Sequence, residues 1–82
     1  MKKTRARSAR NLIGGRIREL RLQCRPTVTQ EDLAGRLAAK GISLDRSAIS
    51  RIENQERYLM DYELVAIAQA LKVPISSLFA KV

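Results

Sequence analysis

Val28-Thr29-Gln30-Glu31-Asp32-Leu33 and Leu44-Asp45-Arg46-Ser47-Ala48-Ile49 decide the fold, because both segments carry the same device. In each, an apolar residue precedes a side chain able to cap a helix, and another apolar residue stands four places past that cap. That is a hydrophobic staple around an N-cap. Asp32, three residues after Thr29, can also reach back to it as in a capping box, and acids in this first turn suit the helix dipole. Leu33, Ala34, Leu37 and Ala38 continue an apolar face, and Gly41 after Lys40 is a helix-end signal. In the second segment Ile49 and Ile52 give the inward face of a helix from about Asp45 to Asn54. Gly41-Ile42-Ser43-Leu44 lies between, too short for an element of its own. Two helices on a tight connection result.

Working outward, Ile13, Ile17, Leu20 and Cys24 recur at steps of four, three and four, one face of an earlier helix. Asn11 is its expected cap and Pro26 its stop, while Gly14 and Gly15 each weaken its first turn by roughly 1 kcal/mol relative to Ala. Downstream, a helix starting at Asp61 carries Leu64, Ile67, Ala68 and Leu71; Pro74 halts it, and Ile75 to Phe79 forms a closing turn or two. Residues 1–10 are polar, charged and aperiodic, and are expected to be a flexible basic arm. The fold class is therefore all-α: five short helices over residues 11–82 behind that arm.

Composition agrees. Aromatics are 4% and Trp is absent, so the core must come from Leu, Ile, Val and Ala. Sixteen Lys and Arg against eight Asp and Glu give a net charge of +8, which favours polyanions. The arm holds five of those cations and no acid: Lys2, Lys3, Arg5, Arg7 and Arg10. No apolar run approaches the ~18 residues of a spanning helix, and no apolar stretch follows the basic start as in a signal peptide. A cytoplasmic protein is expected. Cys24 is alone and His is absent, which excludes an internal disulfide and the usual Cys/His zinc site.

Catalysis is poorly supplied. There is no His, no Gly-rich phosphate loop, and the carboxylates sit at helix starts or beside arginines, where capping and ion pairing account for them. The expectation is no enzyme, no catalytic residue, no metal and no cofactor. The 45–54 helix differs. With Ile49 and Ile52 inward, its outward face presents Arg46, Ser47, Ser50 and Arg51. Arg can take guanine O6 and N7 as a bidentate pair, and Ser can serve several bases, so this face suits a major groove. A merely solvated polar face is the alternative.

The chain resembles the phage Cro and repressor type of helix-turn-helix, the XRE family, over about Ile17 to Phe79. The motifs are Thr29-Gln30-Glu31-Asp32-Leu33-Ala34, Ser47-Ala48-Ile49-Ser50-Arg51-Ile52-Glu53-Asn54, and Leu64 through Val73 leading to Leu78-Phe79. The resemblance implies a lambda-repressor-like domain whose third helix reads duplex DNA. It places Arg46, Ser47, Ser50 and Arg51 at base edges, and Gln30, Asn54 and Arg57 at phosphates. Arg21 and Glu53 match a family pair that bridges the first and third helices, with Arg21 aimed at a phosphate as well. Ala34 matches a small residue that lets the third helix approach the second. The arm cations are candidate phosphate or groove contacts.

Three departures stand out. Leu37 to Ile49 is a step of twelve residues, longer than the family's usual step by about five, which lengthens the second helix or its turn. Cys24 to Val28 adds two residues between the first and second helices. Gln55 occupies the usual place of a glycine after the third helix, so a different turn is expected there. The implied function is a bacterial or phage transcriptional regulator, a repressor acting as a homodimer on double-stranded DNA. The alternatives are an antitoxin that autoregulates with a toxin partner, a protein-interaction module that has lost DNA, and a basic RNA-binding protein.

Overall fold

The computed structural model describes residues 9–81. Five helices follow in order: α1 (Gly14–Gln23), α2 (Gln30–Ala39), α3 (Arg46–Glu53), α4 (Asp61–Leu71) and α5 (Ile75–Leu78). The described residues contain no strand. α3 packs against α1 and α2, α2 against α4, and α5 closes onto α4. One core joins Ile13, Ile17, Val28, Leu33, Leu37, Leu44, Ile49, Ile52, Ile67 and Leu78, all buried aliphatics. No aromatic ring contributes to it.

The helix starts follow the side chains that cap them. The Asp32 backbone N–H donates to Thr29 Oγ1 at 2.9 Å, and the Thr29 N–H to Asp32 Oδ2 at 3.0 Å, a complete capping box for α2. At α3 the Ala48 N–H donates to Asp45 Oδ1 at 2.8 Å. The apolar residues before these caps, Val28 and Leu44, are buried with their partners Leu33 and Ile49. α4 has no hydroxyl or carboxylate at its cap position. Instead Glu63 Oε1 accepts from the Met60 N–H at 3.0 Å.

Three helices end in the same motif. After α2, the Ile42 N–H donates to Leu37 O and the Gly41 N–H to Ala38 O, with Gly41 at φ 81°. This is a Schellman ending, and half-buried Ile42 packs back on the core. The lengthening ahead of α3 thus consists of a helix that runs to Ala39 and six connecting residues, 40–45. The α3 end repeats the pattern with Glu56 to Arg51 O and Gln55 to Ile52 O, and the α4 end with Val73 to Ala68 O and Lys72 to Gln69 O. There the left-handed residues are Gln55 (φ 63°) and Lys72 (φ 61°). The different turn expected at Gln55 is therefore not used: a non-glycine adopts the glycine conformation.

α1 departs from expectation at its C-terminal end. It stops at Gln23, short of Pro26, where Cys24 turns extended (ψ 148°) and both the Cys24 and Val28 N–H groups donate to Arg21 O. Its start lies against the end of α3. Asn11 Oδ1 accepts from the Ile13 and Gly14 N–H groups at 3.1 and 2.7 Å, while its Nδ2 donates to Ile52 O at 3.0 Å and Arg57 O at 2.9 Å. One amide caps α1 and holds the C-terminal end of α3. Arg10 belongs to this junction as well, its N–H donating to Gln55 O at 2.9 Å. Lys2, Lys3, Arg5 and Arg7 of the expected arm lie outside the described residues.

Candidate nucleic-acid interface

α3 divides cleanly. Ala48, Ile49, Ile52 and Glu53 are buried, whereas Arg46, Ser47 and Arg51 are exposed and Ser50 is half-buried. Among the described residues Arg46 and Arg51 enter no ion pair, and their side chains donate no hydrogen bond. An exposed arginine without an internal partner keeps its whole donor fork for a ligand. Asn54 caps the end of α3, with its N–H on Ser50 O at 3.0 Å and its side chain exposed.

Behind this face stands a buried network. Arg21 Nε donates to Glu53 Oε2 at 2.7 Å and Nη2 to Oε1 at 2.9 Å, while Nη1 reaches Val28 O at 2.9 Å. Gln30 Nε2 adds a fourth contact, to Glu53 Oε1 at 3.0 Å. The network ties α1 and the start of α2 to the last residue of α3. Hydrogen bonding to Glu53 raises the Arg21 pKa above its ordinary value against the opposing pull of burial, so the guanidinium remains charged at any physiological pH. Such a pair orients more than it stabilises, because desolvating two charges offsets most of their attraction.

Two of the residues expected at phosphates are engaged inside the domain. Arg21 is only 6% exposed and spends its donors on Glu53 and Val28, so it orients α3 from within. Arg57 is half-buried and engaged with Glu63, at 3.0 and 3.2 Å, and with Tyr58 O at 2.9 Å. Gln30 keeps one amide hydrogen free of Glu53. It lines one shallow groove with Thr27, Thr29 and Arg46.

Sequence reasoning missed two things here. The Arg57–Glu63 pair could have been suspected from Glu63 standing three residues after Met60, the capping-box position. The double role of Asn11 had no local signal, since half its partners lie more than 40 residues away.

Five helices that offer a short, doubly capped helix with unpaired arginines and small hydroxyls outward form a DNA-binding domain. The helix-turn-helix family model matches residues 17–78, and the chain belongs to that family, in its Cro/repressor (XRE) type. It is accordingly a DNA-binding transcription regulator, from a family of regulatory domains and not of enzymes. Neither curated proteins nor solved structures return a match. Among the described residues no helix is long and apolar enough to cross a membrane, and no cluster of His, Cys, Asp and Glu could hold a metal ion.

Proposed function

We propose that the chain is a transcriptional repressor that lays α3 in the major groove of an operator and acts as a homodimer. The observation that carries this reading is the α3 face: Arg46, Ser47 and Arg51 exposed, side by side and internally unpartnered. Arg46 and Arg51 read purine edges, with Ser47 and Ser50 filling shorter reach between them. Gln30, at the positive end of α2, and Asn54, at the end of α3, hold phosphates on either side. The cations of residues 1–10 add salt-dependent backbone contacts. Two copies related by a twofold axis place their recognition helices about 34 Å apart, one turn of the duplex.

Selection of random duplex DNA on the protein should enrich a palindrome. Against that sequence, Arg51→Ala should cost about 1–3 kcal/mol and relax preference at one base pair per half-site. Unchanged affinity and preference in a titration would remove Arg51 from the reading. Failure to enrich any sequence at moderate salt would overturn the reading itself.

A further inference from the structure

α2 and α3 start with the same device but with different chemistry at the cap. Thr29 caps α2 with a hydroxyl, whereas Asp45 caps α3 with a carboxylate. Ser, Thr and Asn satisfy a helix start about as well as Asp, so capping alone does not call for a charge. The Ala48 N–H takes Asp45 Oδ1 at 2.8 Å. Among the described residues Oδ2 accepts no hydrogen bond and Asp45 enters no ion pair, although its side chain is exposed. Its neighbour Arg46 is exposed and unpaired as well. Two opposite charges thus stand side by side at the start of α3 without neutralising each other.

The remaining acids are spent or lie elsewhere. Glu53, the other acid at α3, is buried against Arg21 and Gln30. Glu19 pairs with Arg16 and Lys81, Glu63 pairs with Arg57, and Asp32 accepts from the Thr29 N–H. Glu31, Glu56 and Asp61 are exposed, but none belongs to α3. Asp45 is the free carboxylate at the end of α3 where side chains of such a helix reach base edges. Between two rows of phosphates, a carboxylate costs affinity on every sequence unless it meets a hydrogen-bond donor. The major groove offers one kind, the exocyclic amine: N4 of cytosine or N6 of adenine. Guanine and thymine present acceptors there.

We propose that Asp45 is a specificity-determining residue, whose Oδ2 accepts from the amine of one cytosine or adenine in each half-site and rejects guanine and thymine. The inference rests on the proposed placement of α3 in the major groove. Arg46 and Asp45 then divide the first bases by polarity, the guanidinium taking the acceptor edge of guanine and the carboxylate an amine. The bond to Ala48 holds the carboxylate in place beforehand, so little freedom is lost on binding. The acid gives up general affinity for selectivity.

Selection of random duplex DNA on the wild type, Asp45→Ser and Asp45→Asn tests this. Both substitutions keep a good cap, so helical circular dichroism and melting temperature should change little. The wild type should enrich cytosine or adenine at one position of each half-site. A hydroxyl serves several bases, so Asp45→Ser should abolish that preference and lower the ratio of operator to random-DNA affinity by at least about fivefold. Asp45→Asn tells the two amines apart. An amide pairs with adenine N6 and N7, so a cytosine preference should turn to adenine, whereas an adenine preference should persist. Random DNA should bind both variants more tightly, because each removes a negative charge from the face. The inference is overturned if Asp45→Ser keeps the wild-type preference at every position. It is overturned equally if both variants tighten on operator and random DNA by the same factor, the mark of a cap whose charge only repels phosphate. In both cases a wild-type consensus that depends on Arg51 leaves the proposed function standing. A wild type that enriches no sequence overturns the two together.

Discussion

A methyl group added at Gly14 would overlap the carbonyl oxygen of Ile52, with Asn11 Oδ1 at 3.0 Å and Glu53 O at 3.1 Å closing the other sides. The first obstacle is backbone at the end of α3, so nothing flexible can give way. Gly15, one residue on, has no atom within 4 Å of the same position. The two glycines therefore split. Gly14→Ala should destabilise by about 1–3 kcal/mol, the usual cost of overpacking, whereas Gly15→Ala should stabilise by up to about 1 kcal/mol through helix propensity. Urea unfolding of both variants checks the signs, and two equal shifts would contradict the packing described. Glu63 supports a second prediction at this scale. Burial pushes its pKa up, but hydrogen bonds from Arg57 and the Met60 N–H outweigh that and hold it below its ordinary 4.5. A carboxylate depressed on folding contributes stability that is fully present above its unfolded value and is lost as pH falls through the folded one. The melting temperature should hold steady down to pH about 5 and then fall. Glu63→Gln should lower it at neutral pH and flatten part of the acid limb. The remaining slope belongs in part to Asp32, which the Thr29 backbone and hydroxyl groups hold below its ordinary value.

At the scale of elements, the helix ends show what one sequence could reveal. The starts of α2 and α3 were legible because a cap and its staple lie within six residues, and periodicity then fixed the inward faces. The ends were legible near Asn54, where the apolar period of α3 runs out, and at Gly41, where the residue type announces the left-handed turn. Gln55 and Lys72 adopt the same conformation with no such signal, held by the hydrogen bonds that follow them. Local propensity lost to the hydrogen bonds of the helix ending. The cost is of order 1 kcal/mol for a side chain at positive φ, which predicts that Lys72→Gly stabilises by about that amount in thermal or chemical unfolding. Gln55→Gly should gain much less. Its side chain donates from Nε2 to Asn11 O at 3.0 Å, and a net hydrogen bond is worth about 1 kcal/mol, so the two terms nearly cancel. Equal gains at both positions would mean that the Gln55–Asn11 bond contributes nothing. The site divides in the same way: the exposed face of α3 followed from two isoleucines and a cap. The burial of Arg21 and the engagement of Arg57 depended on partners 32 and six residues away, which no periodicity reports.

At the scale of the whole molecule, charge is distributed so that the fold needs little of it and the ligand much. Four ion pairs join the described residues, and the acids are largely consumed in them and in helix caps. The surplus cations face outward on α3, around Lys40 and Lys72, and at Arg10; four more stand in residues 1–8 of the sequence. Because the Arg10 N–H is fastened to Gln55 O, the chain enters the domain beside the end of α3, on the side where the groove contacts are proposed. Lys2, Lys3, Arg5 and Arg7 precede this point in the sequence, and their proposed contacts are with the backbone of the same duplex. Each cation that neutralises a phosphate releases a counterion and adds about 0.9 to the slope of log K against log salt. Removing residues 1–8 should therefore lower that slope by up to roughly 3.6 if all four cations engage phosphates. It should weaken operator and random DNA alike and leave the base preference set by Arg46 and Arg51 unchanged. Titrations of the full and shortened chains over a range of salt concentrations read both quantities at once. An unaltered slope would show that these cations stay in solvent, and a changed base preference would show that they read sequence as well as charge.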